Sequence, residues 1–147
     1  MTAQTIHKTR IKEHLQELKD AISVGIELRP ATIGFHTSAA AIDLLELYLH
    51  KTEKIPIGKQ VKHDWFKRPK PEQKIKPLAE RYLPMPFPQK EEIFEHLYTL
   101  EEQRNKLIYG HATLADIKQA IGAFEKLKEI LLALLKEQGE NIEDPNR

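Results

Sequence analysis

Arg104 and His111, in the stretch Glu102-Gln-Arg-Asn-Lys-Leu-Ile-Tyr-Gly-His111, are the residue types and spacing best suited to chemistry in this 147-residue chain. An arginine keeps its charge at any physiological pH and presents a flat fork of donors matched to phosphate or carboxylate oxygens. A histidine titrates near pH 6.5 and can move a proton near neutrality. The apolar residues around them, Ile93, Leu97, Leu100, Leu107 and Ile108, recur as one stripe of a helix. Arg104 falls on that stripe, one turn after Leu100. A buried charge left unpaired costs roughly 3–5 kcal/mol, so its position implies a partner or a use. A core acid such as Asp43 is one such partner; an incoming anion is the other reading. His111 follows Gly110, a residue suited to the left-handed backbone that closes many helices. It can equally be a helix-entry residue satisfied by nearby backbone.

The elements that must position this pair are helical. Residues 4–28 carry Ile6 or Thr9, then Ile11, Leu15, Leu18, Ile22 and Ile26 at helical spacing, with Pro30 as the stop. A second helix is predicted over 36–50, where Ala39, Ile42, Leu45 and Leu49, with Ala40, Leu44 and Tyr48, give a wide apolar face and a central place. A third is predicted over 88–109, with Pro88 suited to its first turn and Glu91 and Glu92 at the positive end of its dipole. Thr113 and Asp116 resemble a capping box that opens a fourth helix running to about Gly139. Its run Ile130-Leu-Leu-Ala-Leu-Leu135 is apolar on every side, so one face meets the core and the other calls for a second partner.

The middle of the chain differs. Six of nine prolines lie between Pro69 and Pro88, which argues against a long regular element there. Short helices are expected over 59–66 and 78–82. Between Lys54 and Lys76 stand eight Lys or Arg against two acids, with His63, Trp65 and Phe66 interleaved. That pattern fits a solvated loop with its aromatics in the core, or a strip tracking an RNA backbone through Lys67, Arg68 and Lys70 with a ring stacked on a base. Without strand-like alternation, the expected fold is all-α. It is an up-and-down bundle of four long helices plus short ones, forming one domain over 1–147 with a Pro-rich connection over about 67–88.

Composition excludes several function classes. There is no cysteine, hence no disulfide, thiolate nucleophile or thiolate-bound zinc. No apolar run is long enough for a membrane span, and the first residues lack the apolar core of a signal peptide, so a cytoplasmic location is expected. Neither phosphate-loop fingerprint occurs. His14, His36, His50, His63 and His96 form no His-Glu-x-x-His pattern. The sequence alone therefore points to no dedicated metal site and no cofactor.

Taken together, Arg104, Asn105 and His111, the helix that ends at them and the helix that follows resemble the HEPN family (higher eukaryotes and prokaryotes nucleotide-binding domain). The likeness extends to Ala39-Ala-Ala-Ile-Asp-Leu-Leu-Glu-Leu-Tyr-Leu49 and to Val61-Lys-His-Asp-Trp-Phe66, and so covers most of the chain except the Pro-rich segment. The family signature is an Arg, often followed by a polar residue, then four to six residues and a His; here six residues intervene. The resemblance implies metal-independent RNA cleavage at a site shared by two copies of a symmetric dimer, with Arg104 and His111 catalytic and Asn105 binding substrate by orienting its phosphate, or orienting the His. It also implies a toxin- or defence-like role, with a nucleotidyltransferase-type antitoxin as a possible partner. Some toxin members carry, two residues after the His, a Tyr that a partner nucleotidyltransferase can modify; Thr113 stands there, so that regulation is not expected. The alternative is a non-catalytic HEPN module that binds a nucleotide, RNA or a protein.

Overall fold

The computed structural model describes residues 3–146, which form five α-helices and one 3-10 turn, with no strand among them. Helix α1 spans Ala3–Val24, α2 Pro30–Lys51, α3 Leu78–Tyr82, α4 Lys90–Tyr109 and α5 Leu114–Glu137; the turn is His63–Phe66. The all-α bundle expected from periodicity is present.

Helix α1 contains neither Gly nor Pro and buries His7, Ile11, Leu15, Leu18 and Ala21, one residue per turn. Ile6 and Ile22 are exposed, so the stripe sits one position away from the Ile6-or-Thr9 start expected from sequence. The polar His7 takes the core position instead. Gly25, at φ +118°, ends the helix in a backbone region that L side chains rarely adopt. Pro30 does not stop α1; it opens α2 as its first helical residue, where its missing N–H costs nothing. Helix α2 therefore begins six residues earlier than the apolar pattern suggested.

Helix α2 is the hub: it packs against α1, α4 and α5. Small residues in its first half let neighbours come close. A Cβ on Gly34 would lie 2.7 Å from Leu107 Cβ, so this glycine sets the α2–α4 distance beside the end of α4. With Tyr48, late in α2, against Phe87, just ahead of α4, at 6.2 Å, this contact shows the two helices to be antiparallel. The second half inserts Leu44, Leu45, Leu47 and Leu49, all fully buried. Truncating any one of these leucines to Ala would cost about 2–5 kcal/mol.

The Pro-rich connection is pinned at several points. Phe66 stands edge-on to Phe94 at 5.1 Å in the core, and Trp65 packs on Tyr82 at 4.9 Å. Lys90 Nζ donates to the Leu83 and Met85 carbonyls, 2.7 and 2.9 Å away. Arg68 pairs with Glu95 and Glu102 of α4 and lies over the Tyr98 ring. Helix α4 then starts two residues after Pro88, with Gln89 in the left-handed region as its N-cap.

At the other end of α4, Gly110 is extended (φ −117°), not left-handed as expected; its N–H still bonds the Lys106 carbonyl. The extended exit suits the start of α5, where Thr113 and Asp116 complete the expected capping box in both directions. The apolar run on α5 does not need a second molecule to cover it. Leu131, Leu132, Leu134 and Leu135 are all buried within the chain, where the segment after Gly139 folds back and packs Ile142 on the core. Glu140 there pairs with Lys8 and Lys51, and Asn146 donates to the Leu15 carbonyl.

Candidate functional site

Between α2 and α4, beneath residues 61–64, lies a cavity of about 350 Å³. Helix α2 contributes Phe35, Ser38, Ala39, Ile42 and Asp43, and the overlying segment contributes Val61, Lys62, His63 and Asp64. From α4 comes one residue, Arg104. It is half-buried and makes no hydrogen bond or ion pair among the described residues. The expected alternative, an Arg104–Asp43 pair, is not formed, and the reason is local. Asp43 already faces two groups from α1: His14 Nε2 at 3.4 Å and Arg10 at 3.9 Å.

Those α1 groups continue into a small network. His14 Nδ1 lies 2.8 Å from His36 Nδ1, so one ring donates and the other accepts. Burial, then the neighbouring His14, hold the His36 imidazole below its ordinary pKa, which favours its neutral form. Phe35 sits edge-on to His36 and to His14, at 5.0 and 6.1 Å, and leaves part of its ring exposed at the cavity.

Opposite, His63 is held by a carboxylate. Its Nδ1 lies 2.7 and 3.0 Å from the two oxygens of Glu101, a buried acid one turn before Arg104 on α4. A histidine fixed through one nitrogen by a carboxylate has its ring orientation and tautomer set. Sequence reasoning missed this pair, although its signal was present: Glu101 lies one turn after Leu97 and one before Arg104, where the apolar stripe calls for a hydrophobe.

Asn105 and His111 stand elsewhere. Both are exposed, and neither lines the cavity. His111 lies on the four-residue link between α4 and α5, which Lys106 braces by approaching Asp116 at 3.6 Å. The exposed side chains Leu28, Phe35, Tyr109 and Leu114 occur at this same end of the bundle. The basic strip is only partly free, since Arg68 is engaged by two glutamates and Phe66 by the core.

A second cluster also escaped sequence reasoning. His7 of α1 meets Glu46 and His50, one turn apart on α2, with ligand-type atoms from all three within 4.8 Å of one another. Its signal was Glu46 itself, an acid inside the run Leu44-Leu-Glu-Leu47 and four residues before a histidine.

No protein-family model, curated protein or solved structure matches the chain.

Proposed function

We propose that the chain is a HEPN-type endoribonuclease that cuts RNA without a catalytic metal at a site built from Arg104 and His111. The observation that carries the reading is Arg104: a half-buried guanidinium with no anion bound to it among the described residues, at a cavity large enough for part of a nucleotide. Such a group is prepared to receive a phosphate, which offers two oxygens to its fork. In the reaction a ribose 2′-oxygen loses its proton and attacks the adjacent phosphorus. The bond to the 5′-oxygen breaks, and a proton is delivered to that leaving oxygen. The products are a 2′,3′-cyclic phosphate and a 5′-hydroxyl.

Arg104 stabilises charge on the phosphoryl oxygens in the transition state, and His111 moves the proton, a contribution typically of ~10²–10⁴-fold. Asn105, one residue along, orients the substrate. The apolar side chains exposed at this end support a homodimer, and in the proposed shared site the second copy supplies its His111 to the first copy's Arg104. A toxin- or defence-like role in the cytoplasm belongs to the same proposal; modification by a nucleotidyltransferase-type antitoxin does not, because Thr113 stands where its Tyr would be.

A second reading is a non-catalytic module that holds a nucleotide or RNA. It is favoured by the absence of His111 from the cavity lining, beside the presence of Phe35 and of His63 fixed by Glu101. Incubating RNA in EDTA with the wild type, His111→Ala and Arg104→Ala separates the two. Cyclic-phosphate ends produced by the wild type and lost in both variants support the nuclease. Cleavage equal in all three overturns it, and RNA binding without cleavage selects the module.

A further inference from the structure

The cluster of His7, Glu46 and His50 lies one turn along α2 from Asp43, and the nuclease reading makes no use of it. We propose that it is a transition-metal site of the zinc class, with three protein ligands and one coordination position open to a cavity. His7 and Glu46 are 5% and 3% exposed, and His7 Nε2 is in direct contact with Glu46 Oε2. Zinc binds nitrogen and carboxylate oxygen at about 2.0–2.2 Å, which places neighbouring ligand atoms about 3 Å apart. All three donors fall within 4.8 Å of one another, so small side-chain shifts suffice to surround an ion.

The outer contacts are those a metal site needs. His50 Nε2 lies 2.9 Å from the Lys59 carbonyl, which can only accept. That nitrogen therefore carries the hydrogen, and Nδ1 keeps its lone pair for a metal. Glu46 Oε1 accepts the Val61 N–H at 2.6 Å, leaving Oε2 on the His7 side. Backbone from the 59–61 segment thus orients two of the three ligands. The cluster also borders a cavity of about 230 Å³ whose wall includes Arg10, Gly58 and Lys59. Three protein ligands with a vacant position toward such a space is the arrangement of zinc sites that bind water or an anion, in contrast to closed structural sites.

The test uses the full chain without a histidine tag, stripped with EDTA and freed of chelator, then titrated with zinc chloride or cobalt chloride. The expected results are one ion per chain, visible absorption of four-coordinate cobalt that zinc abolishes, and a higher melting temperature with metal. Glu46→Gln retains an acceptor for Val61, and His50→Ala removes a ligand from the edge of the cluster. Both are expected to weaken uptake at least tenfold and to remove the metal-induced rise in melting temperature. A wild type that takes up neither ion at micromolar concentration has a hydrogen-bonded His–Glu–His triad only, and the proposal falls. It falls also if both variants bind as the wild type does. Metal content and RNA ends are separate readouts, so either proposal can fail alone.

Discussion

Two cations lie in the interior of this bundle and are treated in opposite ways. Lys128 of α5 is 3% exposed, and its Nζ reaches Asp144 at 2.7 Å and Glu125 at 2.9 Å, with the Phe124 ring 5.5 Å away. Arg104 of α4 is half-buried, borders a cavity and pairs with no described residue. Folding has supplied Lys128 with an anion from its own chain, since the segment that brings Asp144 is the one that covers α5. Arg104 has been left without one, although Asp43 lines the same cavity. A fully compensated charge holds a structure together; an uncompensated one at an opening is available to a ligand. The difference separates scaffold from site within one fold.

Removing each charge should therefore give different results. Lys128→Met leaves Asp144 buried beside an apolar side chain. Thermal melting is expected to show a loss of about 3 kcal/mol, the low end for breaking a buried pair, because the terminal segment can partly undock. For a chain of this size that is a fall of roughly 6–12 °C. A shift under 2 °C would mean that the pair contributes little. Next in size is Gly34→Val, whose new side chain collides with Leu107 and drives α2 from α4 beside Arg104. Overpacking of this kind costs typically about 1–3 kcal/mol. Gly122→Ala, inside α5 with open space around it, serves as the opposite control and should stabilise by about 0.5–1 kcal/mol.

Acid should remove the contribution of the compensated charge. Burial pushes the Asp144 carboxyl up, but Lys128 and the Asn146 N–H outweigh it and hold the folded value below the ordinary range. A depressed carboxylate contributes stability above its unfolded pKa, about 3.9, and loses it as pH falls toward the folded value. Glu95, Glu140 and Asp116 are depressed as well and share the same sign. Denaturant melts at pH 6 and pH 3 should thus show a smaller acid loss in Asp144→Asn than in the wild type. Equal losses would remove Asp144 from the account. The smallest effect is expected at Arg104→Met, within about 0.5 kcal/mol of the wild type, since no described partner is orphaned.

Much of the scaffold was legible before any coordinates. Leu15, Leu18, Leu44, Leu97 and Leu127 announce their helices by spacing alone, and Thr113 with Asp116 announces a cap. Local rules misread the junctions, because Pro30 and Gly110 each suit more than one role and only the neighbouring helix decides between them. The apolar excess on α5 misled for a related reason: its cover, Ile142 and the chain around it, lies beyond the helix and has no periodicity of its own. For the site, the sequence singled out Arg104 but could not join it to His63, Glu101 or His14, which come together only through packing of α1, α2 and α4. Buried acids inside apolar runs, Glu46 and Glu101, were the overlooked signals, and each proves to hold a histidine.

Arg104 decides the account, and a paired measurement on Arg104→Met tests it most directly. The variant and the wild type are melted, then titrated with a labelled RNA in which every 2′-hydroxyl is methylated, so that binding is read without cleavage. The account predicts an unchanged melting temperature and an affinity at least tenfold weaker in the variant. A melting temperature lowered as far as in Lys128→Met, with RNA affinity unaltered, would show Arg104 to be part of the scaffold and would contradict it.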